Sequence, residues 1–183
     1  MLRIHNSMTK KKEIFKPLNP PLVNLYVCGV TVYDRCHLGH ARSMICFDVI
    51  VRFLRASGYK VKFVRNITDI DDKIIRRSKE LNISFQDLAL QNITDMHTDI
   101  KKLRLLAPDS EPKATEYVQE MINLIMQLFA KDLAYVTESG DVCFEVERFK
   151  PYGKLSHQNL DGLLEGARVE IGEHKRSALD FVL

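Results

Sequence analysis

Two histidines three positions apart, His37 and His40, follow a cysteine, Cys28, within one short stretch, Tyr26-Val-Cys-Gly-Val-Thr-Val-Tyr-Asp-Arg-Cys-His-Leu-Gly-His40. Two imidazoles can donate hydrogen bonds to phosphate oxygens. Donors that meet charge developing only during reaction stabilise the transition state rather than the ground state. Cys28 places a thiol at the end of an apolar run, Val23 to Val27, and Gly29 breaks that run. Gly39 removes a side chain between the histidines, which lets a ligand approach the backbone closely. A strand, a loop with Gly and a helix start make a ready anion site. The first-turn N–H groups lack intrahelical partners, and the helix dipole favours negative charge. Each feature also has a plain structural reading. The histidines can be decoration at a helix start, Cys28 a small buried hydrophobe, and the glycines turn and cap residues. Their conjunction in one strand-to-helix junction points to a site.

The elements that must position these groups follow from periodicity. Residues 23–27 read as a buried strand. Ala41 to Ala56 reads as a helix, with Ala41, Met44, Ile45, Phe47, Val49, Ile50, Val51, Phe53 and Leu54 placing apolar residues on most sides. A helix apolar nearly all round is expected to be buried. Gly58 is its expected stop. Lys60 to Arg65 alternates, with Val61 and Phe63 inward and Lys60, Lys62 and Arg65 outward, as a second strand. Strand, helix and strand at this spacing predict a crossover with parallel strands. Ligands of such α/β sheets sit at the carboxyl ends of the strands. Cys28 and the turn Asn66-Ile67-Thr68-Asp69 both fall there.

Beyond that turn, Ile70 to Leu81 reads as a helix. Asp69, Asp71 and Asp72 could form a carboxylate cluster for a metal. The stronger reading is that acids in a first turn satisfy orphan N–H groups and the dipole. Ser84 followed by Asp87 resembles an N-cap, opening a helix to about Leu105 with Phe85, Leu88, Ala89, Met96, Ile100 and Leu103 on one face and a structural His97 beside it. Residues 109–112 read as a loop. A further helix, Ala114 to Lys131, carries Tyr117, Val118, Met121, Ile122, Ile125, Leu128 and Phe129 on one face. Residues 134–146 read as a hairpin around Gly140. Segments 152–156 and 161–166 are turn-rich. Lys10-Lys11-Lys12 could touch RNA phosphates, but a solvated hairpin or loop is the favoured reading. The chain ends on the apolar run Ala178 to Leu183, which suggests a cut sequence, although a natural terminal strand fits too.

Net charge of +3 permits a nucleic-acid partner without arguing for one. The four cysteines, Cys28, Cys36, Cys46 and Cys143, show no Cys-x-x-Cys pair and read as reduced thiols. There is no apolar signal core and no run of membrane-spanning length, so no membrane partner is expected and the cytoplasm is the default.

The run Cys28-Gly-Val-Thr-Val-Tyr-Asp34, followed by His37-Leu-Gly-His40, resembles the signature of cysteinyl-tRNA synthetases, a family of class I aminoacyl-tRNA synthetases. The likeness continues through Val64 to Ile74, Gly166 to Val169 and Asp180 to Leu183, and covers the front portion of such a synthetase. It implies an α/β fold, the Rossmann-like nucleotide-binding half of the class I catalytic domain. Residues 1–115 would form that half, and residues 116–183 part of a connective insertion.

The implied reaction joins L-cysteine and ATP into cysteinyl-adenylate, then moves the cysteinyl group to tRNA(Cys). His37 and His40 would be catalytic and, with Gly39, would bind ATP, which Mg²⁺ accompanies. Gly29, Thr31 and Thr68 would border the cysteine pocket. Cys28 would be one ligand of a Zn²⁺ that binds the substrate thiolate. Cysteine and serine differ by one atom, and soft thiolate is preferred over hydroxyl at zinc. The family's other zinc ligands and its Lys-Met-Ser-Lys-Ser loop have no counterpart in this sequence. The expectation is therefore a monomeric fragment that neither holds zinc tightly nor aminoacylates alone. Two rival readings are a ligase of the same class joining cysteine to an amino sugar, and a non-catalytic module that binds nucleotide or RNA.

Overall fold

The computed structural model describes residues 2–158 and 175–183. The sequence features at 161–166 and 166–169 therefore lie outside the described residues. Two compact units are present: residues Lys16–Val118, and the N-terminal residues through Phe15 grouped with those from Gln119 onward.

The N-terminal residues form a hairpin, β1 (Arg3–Asn6) and β2 (Lys11–Ile14), antiparallel with Arg3 opposite Ile14. The lysine run at 10–12 turns into and starts its second strand, in keeping with the solvated-hairpin reading.

In the unit from Lys16 to Val118, β3 (Leu22–Val27) and β4 (Lys60–Arg65) pair in parallel from Leu22↔Lys60 to Val27↔Arg65. The helix α1 (Leu38–Ala56) connects them. It stops at Ser57, and Gly58 supplies the left-handed turn at φ +89. Val51 and Leu54 on its inner face are buried, and Val51 packs with Val27 and Phe63. The rest of α1 departs from expectation: Ile45, Val49 and Phe53 are exposed. The sheet of this unit is two strands wide, too narrow to cover a helix all round.

Helices α2 (Asp72–Leu81) and α3 (Phe85–Lys102) follow. Asp71 caps α2, its side chain accepting from the Lys73 N–H, and Ser84 caps α3 through the Asp87 N–H. Leu88, Ala89, Ile93, Met96 and Ile100 of α3 bury against Ile67, Ile74 and Val32. The helix stops at Leu103, short of Leu105, and Leu103 itself is exposed.

Residues 109–112, expected to be a loop, pair along β4 and its continuation. Asp109 N donates to Phe63 O, Arg65 N to Ser110 O and Ile67 N to Pro112 O, so backbone groups at the sheet edge are satisfied without a regular strand.

The helix expected from Ala114 opens as a 3₁₀ turn, Ala114–Tyr117, before α4 (Val118–Ala130). No described residue of α4 is buried, and Val118, Met121 and Ile122 are exposed. Its apolar face therefore does not find the core that its period implied. Strands β5 (Ala134–Val136), β6 (Val142–Phe144) and β7 (Phe181–Val182) make an antiparallel sheet. Asp180, just before β7 and 2% exposed, accepts from Tyr135 OH at 2.8 Å and Val146 N at 3.0 Å. Among the described residues no helix is long and apolar enough to cross a membrane.

Candidate active site at the strand ends and the first helix

The two parallel strands do not end evenly. Val27 pairs with Arg65, but the next bridge joins Thr31 to Thr68. Residues 28–30 therefore lie opposite residues 66–67, and the extra residue is a bulge. Cys28, at the start of this bulge, is exposed.

Gly29 sits against the other strand end. Its N–H donates to Asn66 Oδ1 at 2.7 Å. A Cβ at Gly29 would stand 1.6 Å from the Asn66 carbonyl oxygen, so no side chain fits. Asn66 Nδ2 reaches Thr68 Oγ1 at 3.4 Å. Thr68 in turn holds the next segment, accepting from Val32 N and donating its own N–H to Val30 O, each at 3.2 Å. Asn92 of α3 donates to Val32 O at 3.0 Å from a buried position. Four residues assigned by resemblance, Cys28, Gly29, Thr31 and Thr68, thus share one corner. A cavity of ≈ 20 Å³, room for about one water, lies under it among Val27, Cys28, Gly29, Phe47, Phe63 and Arg65.

The histidines open α1. His37 is its N-cap, and the helix begins at Leu38 rather than Ala41. His37 Nδ1 accepts the Gly39 N–H at 3.0 Å, and His40 Nδ1 accepts the His37 N–H at 3.3 Å. A ring nitrogen that accepts carries no proton, so the hydrogen-bond network assigns the proton to Nε2 in both rings. The rings stack with centroids 3.9 Å apart. Burial holds the His40 imidazole below the usual histidine range, and the neighbouring His37 adds to this.

This geometry corrects the expectation of an open helix terminus. The N–H groups of Gly39, His40 and Ala41 already have partners: His37 Nδ1 for the first and the His37 carbonyl for the other two. That leaves the Leu38 N–H and the Nε2–H groups of the imidazoles as donors at this end of the helix. Gly39 also acquires a local reason, because a Cβ there would meet His37 Cε1 at 2.8 Å and Nδ1 at 3.0 Å. An apolar groove of ≈ 330 Å³ opens beside His37 between α1 and α3, lined by Cys36, Leu38, Met44, Met96 and Ile100 among others. Burial pushes the Cys36 thiol up, so it stays protonated.

Several residues here escaped the sequence reading. Arg65 is buried rather than outward-facing. It pairs with Glu111 at 2.7 Å, and the other Glu111 oxygen meets His97 Nε2 at 2.6 Å, which gives His97 a structural partner. Asp69 does not open α2. It is buried and accepts from both the N–H and the hydroxyl of Thr115, at 3.0 and 2.6 Å. A carboxylate at a strand end, with a Thr-Glu pair opening a later helix, was the available signal for that tie.

Among the described residues no group of three or more His, Cys, Asp or Glu side chains could hold a metal ion. Cys28 supplies one thiolate, and one donor does not make a tetrahedral site.

Parallel strands joined by a crossover helix, with paired histidines at its N-terminus, match the Rossmann-like half of a class I synthetase catalytic domain. Residues 14–183 match the family model for the class I (C) tRNA synthetase catalytic domain, and the chain belongs to that family. It is 56% identical over 183 residues to a cysteine–tRNA ligase of Legionella pneumophila strain Corby, 58% over 182 residues to one of Coxiella burnetii strain Dugway 5J108-111, and 54% over 183 residues to one of Pasteurella multocida strain Pm70. Each alignment covers 100% of this chain and 40% of the relative. The chain thus spans about 40% of the length of the curated relatives it matches.

Proposed function

We propose that the chain works as the N-terminal part of a cysteine–tRNA ligase, activating L-cysteine with ATP and passing the cysteinyl group to tRNA(Cys). The observation that carries this is the His37–His40 pair. Both Nδ1 atoms are committed to backbone N–H groups, so both Nε2–H groups are preset as donors. Pointed at the α-phosphate, they would meet the charge that builds as pyrophosphate leaves. They need not reorient or change protonation to do so. Gly39 keeps the His37 ring folded back, and Mg²⁺ enters with the nucleotide as part of the substrate.

Gly29, Thr31 and Thr68 border the amino acid in this reading. Cys28 is the one zinc donor that this chain would contribute to the pocket. With the rest of the donor set not among the described residues, no step is assigned to the metal. In this reading residues 1–115 are the N-terminal catalytic half and residues 116–183 the connective insertion. The expected state is a cytoplasmic monomer.

The test is ATP–pyrophosphate exchange by the full-length protein. Exchange should require cysteine, and His37→Asn or His40→Asn should lower kcat by about 100-fold, the usual loss for one transition-state donor. Cys28→Ser should raise the cysteine KM steeply and weaken zinc retention. Exchange that ignores cysteine, or that survives both histidine substitutions, overturns the reading.

A further inference from the structure

We infer that Asn66 is a positioning residue for the amino-acid pocket, acting through Gly29 on one side and Thr68 on the other. The inference rests on the ligase reading, because it assigns that corner to cysteine.

Asn66 follows the last residue of β4, opposite the bulge of residues 28–30. A bulge leaves its extra residue without a ladder partner, and something must hold it. The Asn66 side chain does so, taking the Gly29 N–H at 2.7 Å across a separation of 37 residues. The Asn66 backbone carbonyl packs where a Gly29 side chain would be. One residue therefore fixes the turn after Cys28 by two contacts.

The same amide sets the polarity of Thr68. A backbone N–H can only donate, so the atom facing Gly29 must be the amide oxygen. That choice turns Nδ2 toward Thr68 Oγ1, 3.4 Å away. Nδ2 has only hydrogens to offer, so the Thr68 hydroxyl accepts. Its own hydrogen is then free for a ligand oxygen or sulfur. Thr68 is held by its backbone to Val30 and Val32, so its hydroxyl is presented from a fixed place. Among the described residues the Asn66 side chain bonds Gly29 and Thr68 and not the histidine pair.

Asn66→Asp separates the two functions. A carboxylate still accepts from Gly29, but it cannot donate to Thr68. The Thr68 hydroxyl would then turn its hydrogen to the carboxylate and away from the ligand. In the full-length protein, measured by ATP–pyrophosphate exchange, Asn66→Asp should raise the cysteine KM roughly tenfold, the worth of one such hydrogen bond. The KM for ATP should stay within about twofold, since the nucleotide donors are elsewhere. The double variant Asn66→Asp with Thr68→Ala should match Thr68→Ala alone, because both remove one interaction. Asn66→Ala, which also frees Gly29, should be worse than Asn66→Asp. A normal wild type with an unmoved cysteine KM in Asn66→Asp overturns this inference alone. So does a parallel rise in both KM values, or an additive double variant. A wild type without cysteine-dependent exchange overturns the ligase reading and this inference with it.

Discussion

The imidazole rings of His37 and His40 stack at 3.9 Å with 28° between their planes. Two rings this close resist carrying two positive charges, and burial already disfavours charge on His40. The sign follows from proton counting. The folded-state pKa of His40 lies below its ordinary value, so between the two values the unfolded chain binds more protons than the folded one. Stability therefore falls as pH drops below the ordinary histidine value, and the loss is complete below the folded pKa. An NMR titration of the ring protons should place His40 below an unperturbed histidine, and His37→Asn should move it back toward the ordinary range. A His40 that titrates normally in the wild type sinks this account.

Gly29 and Gly39 should respond differently to alanine. At Gly39 the new methyl meets only the His37 ring, the end of a mobile side chain. The ring can swing away, and alanine recovers about 0.5–1 kcal/mol of helix propensity. Thermal stability should change little, while activity should fall about as far as in His37→Asn, near 100-fold, because the Nε2–H loses its aim. At Gly29 the methyl meets a backbone carbonyl, which cannot move without shifting the strand end. Overpacking of that kind costs about 1–3 kcal/mol or more. Denaturant titration beside an exchange assay separates the two cases.

Arg65 and Glu111 are both largely shielded, at 6% and 17% side-chain exposure. Removing one member of a shielded pair strands the other. Arg65→Ala should cost about 3 kcal/mol, the low end for such pairs, since His97 still contacts Glu111. A loss of unfolding free energy in urea below about 1 kcal/mol would show the pair to be dispensable.

Tyr135 donates its hydroxyl to Asp180 and accepts from the Arg176 N–H, both at 2.8 Å. Tyr135→Phe removes both bonds and leaves a buried carboxylate one donor short. The expected loss is about 1–3 kcal/mol, read as a lower midpoint in thermal unfolding followed at the β5–β6 sheet.

Much of this was legible in the chain. The apolar run before Cys28, the alternation at 60–65 and the glycine at 58 foretold strand, helix and parallel strand. Ser84 and Asp87 foretold a cap. What misled was the use of charge as a guide to direction. By period, Arg65 shares a face with Val61 and Phe63; its charge argued outward, yet Glu111, far along the sequence, gave it a partner inside. Composition likewise marked α1 as apolar nearly all round, and period gave α4 an apolar face, but neither predicted how little of the two would be covered. At the site, residue types and spacing were readable, but hydrogen-bond direction was not. That His37 folds back onto Gly39, or that Asn66 faces Gly29, depends on side-chain rotamers and on a slip in register. Local sequence encodes neither.

Proline and polar residues at 108–112 look like punctuation, the kind of place chosen for nicking or dividing a chain. The backbone there runs along β4, with Asp109, Ser110 and Pro112 bonded to Phe63, Arg65 and Ile67, and Thr115 closes the stretch onto Asp69. Severing the chain at Pro108 would remove the outer flank of the strand that ends at Asn66, and with it the support of the corner that faces Cys28. Those ties hold the stretch through Thr115 in the same compact unit as β4.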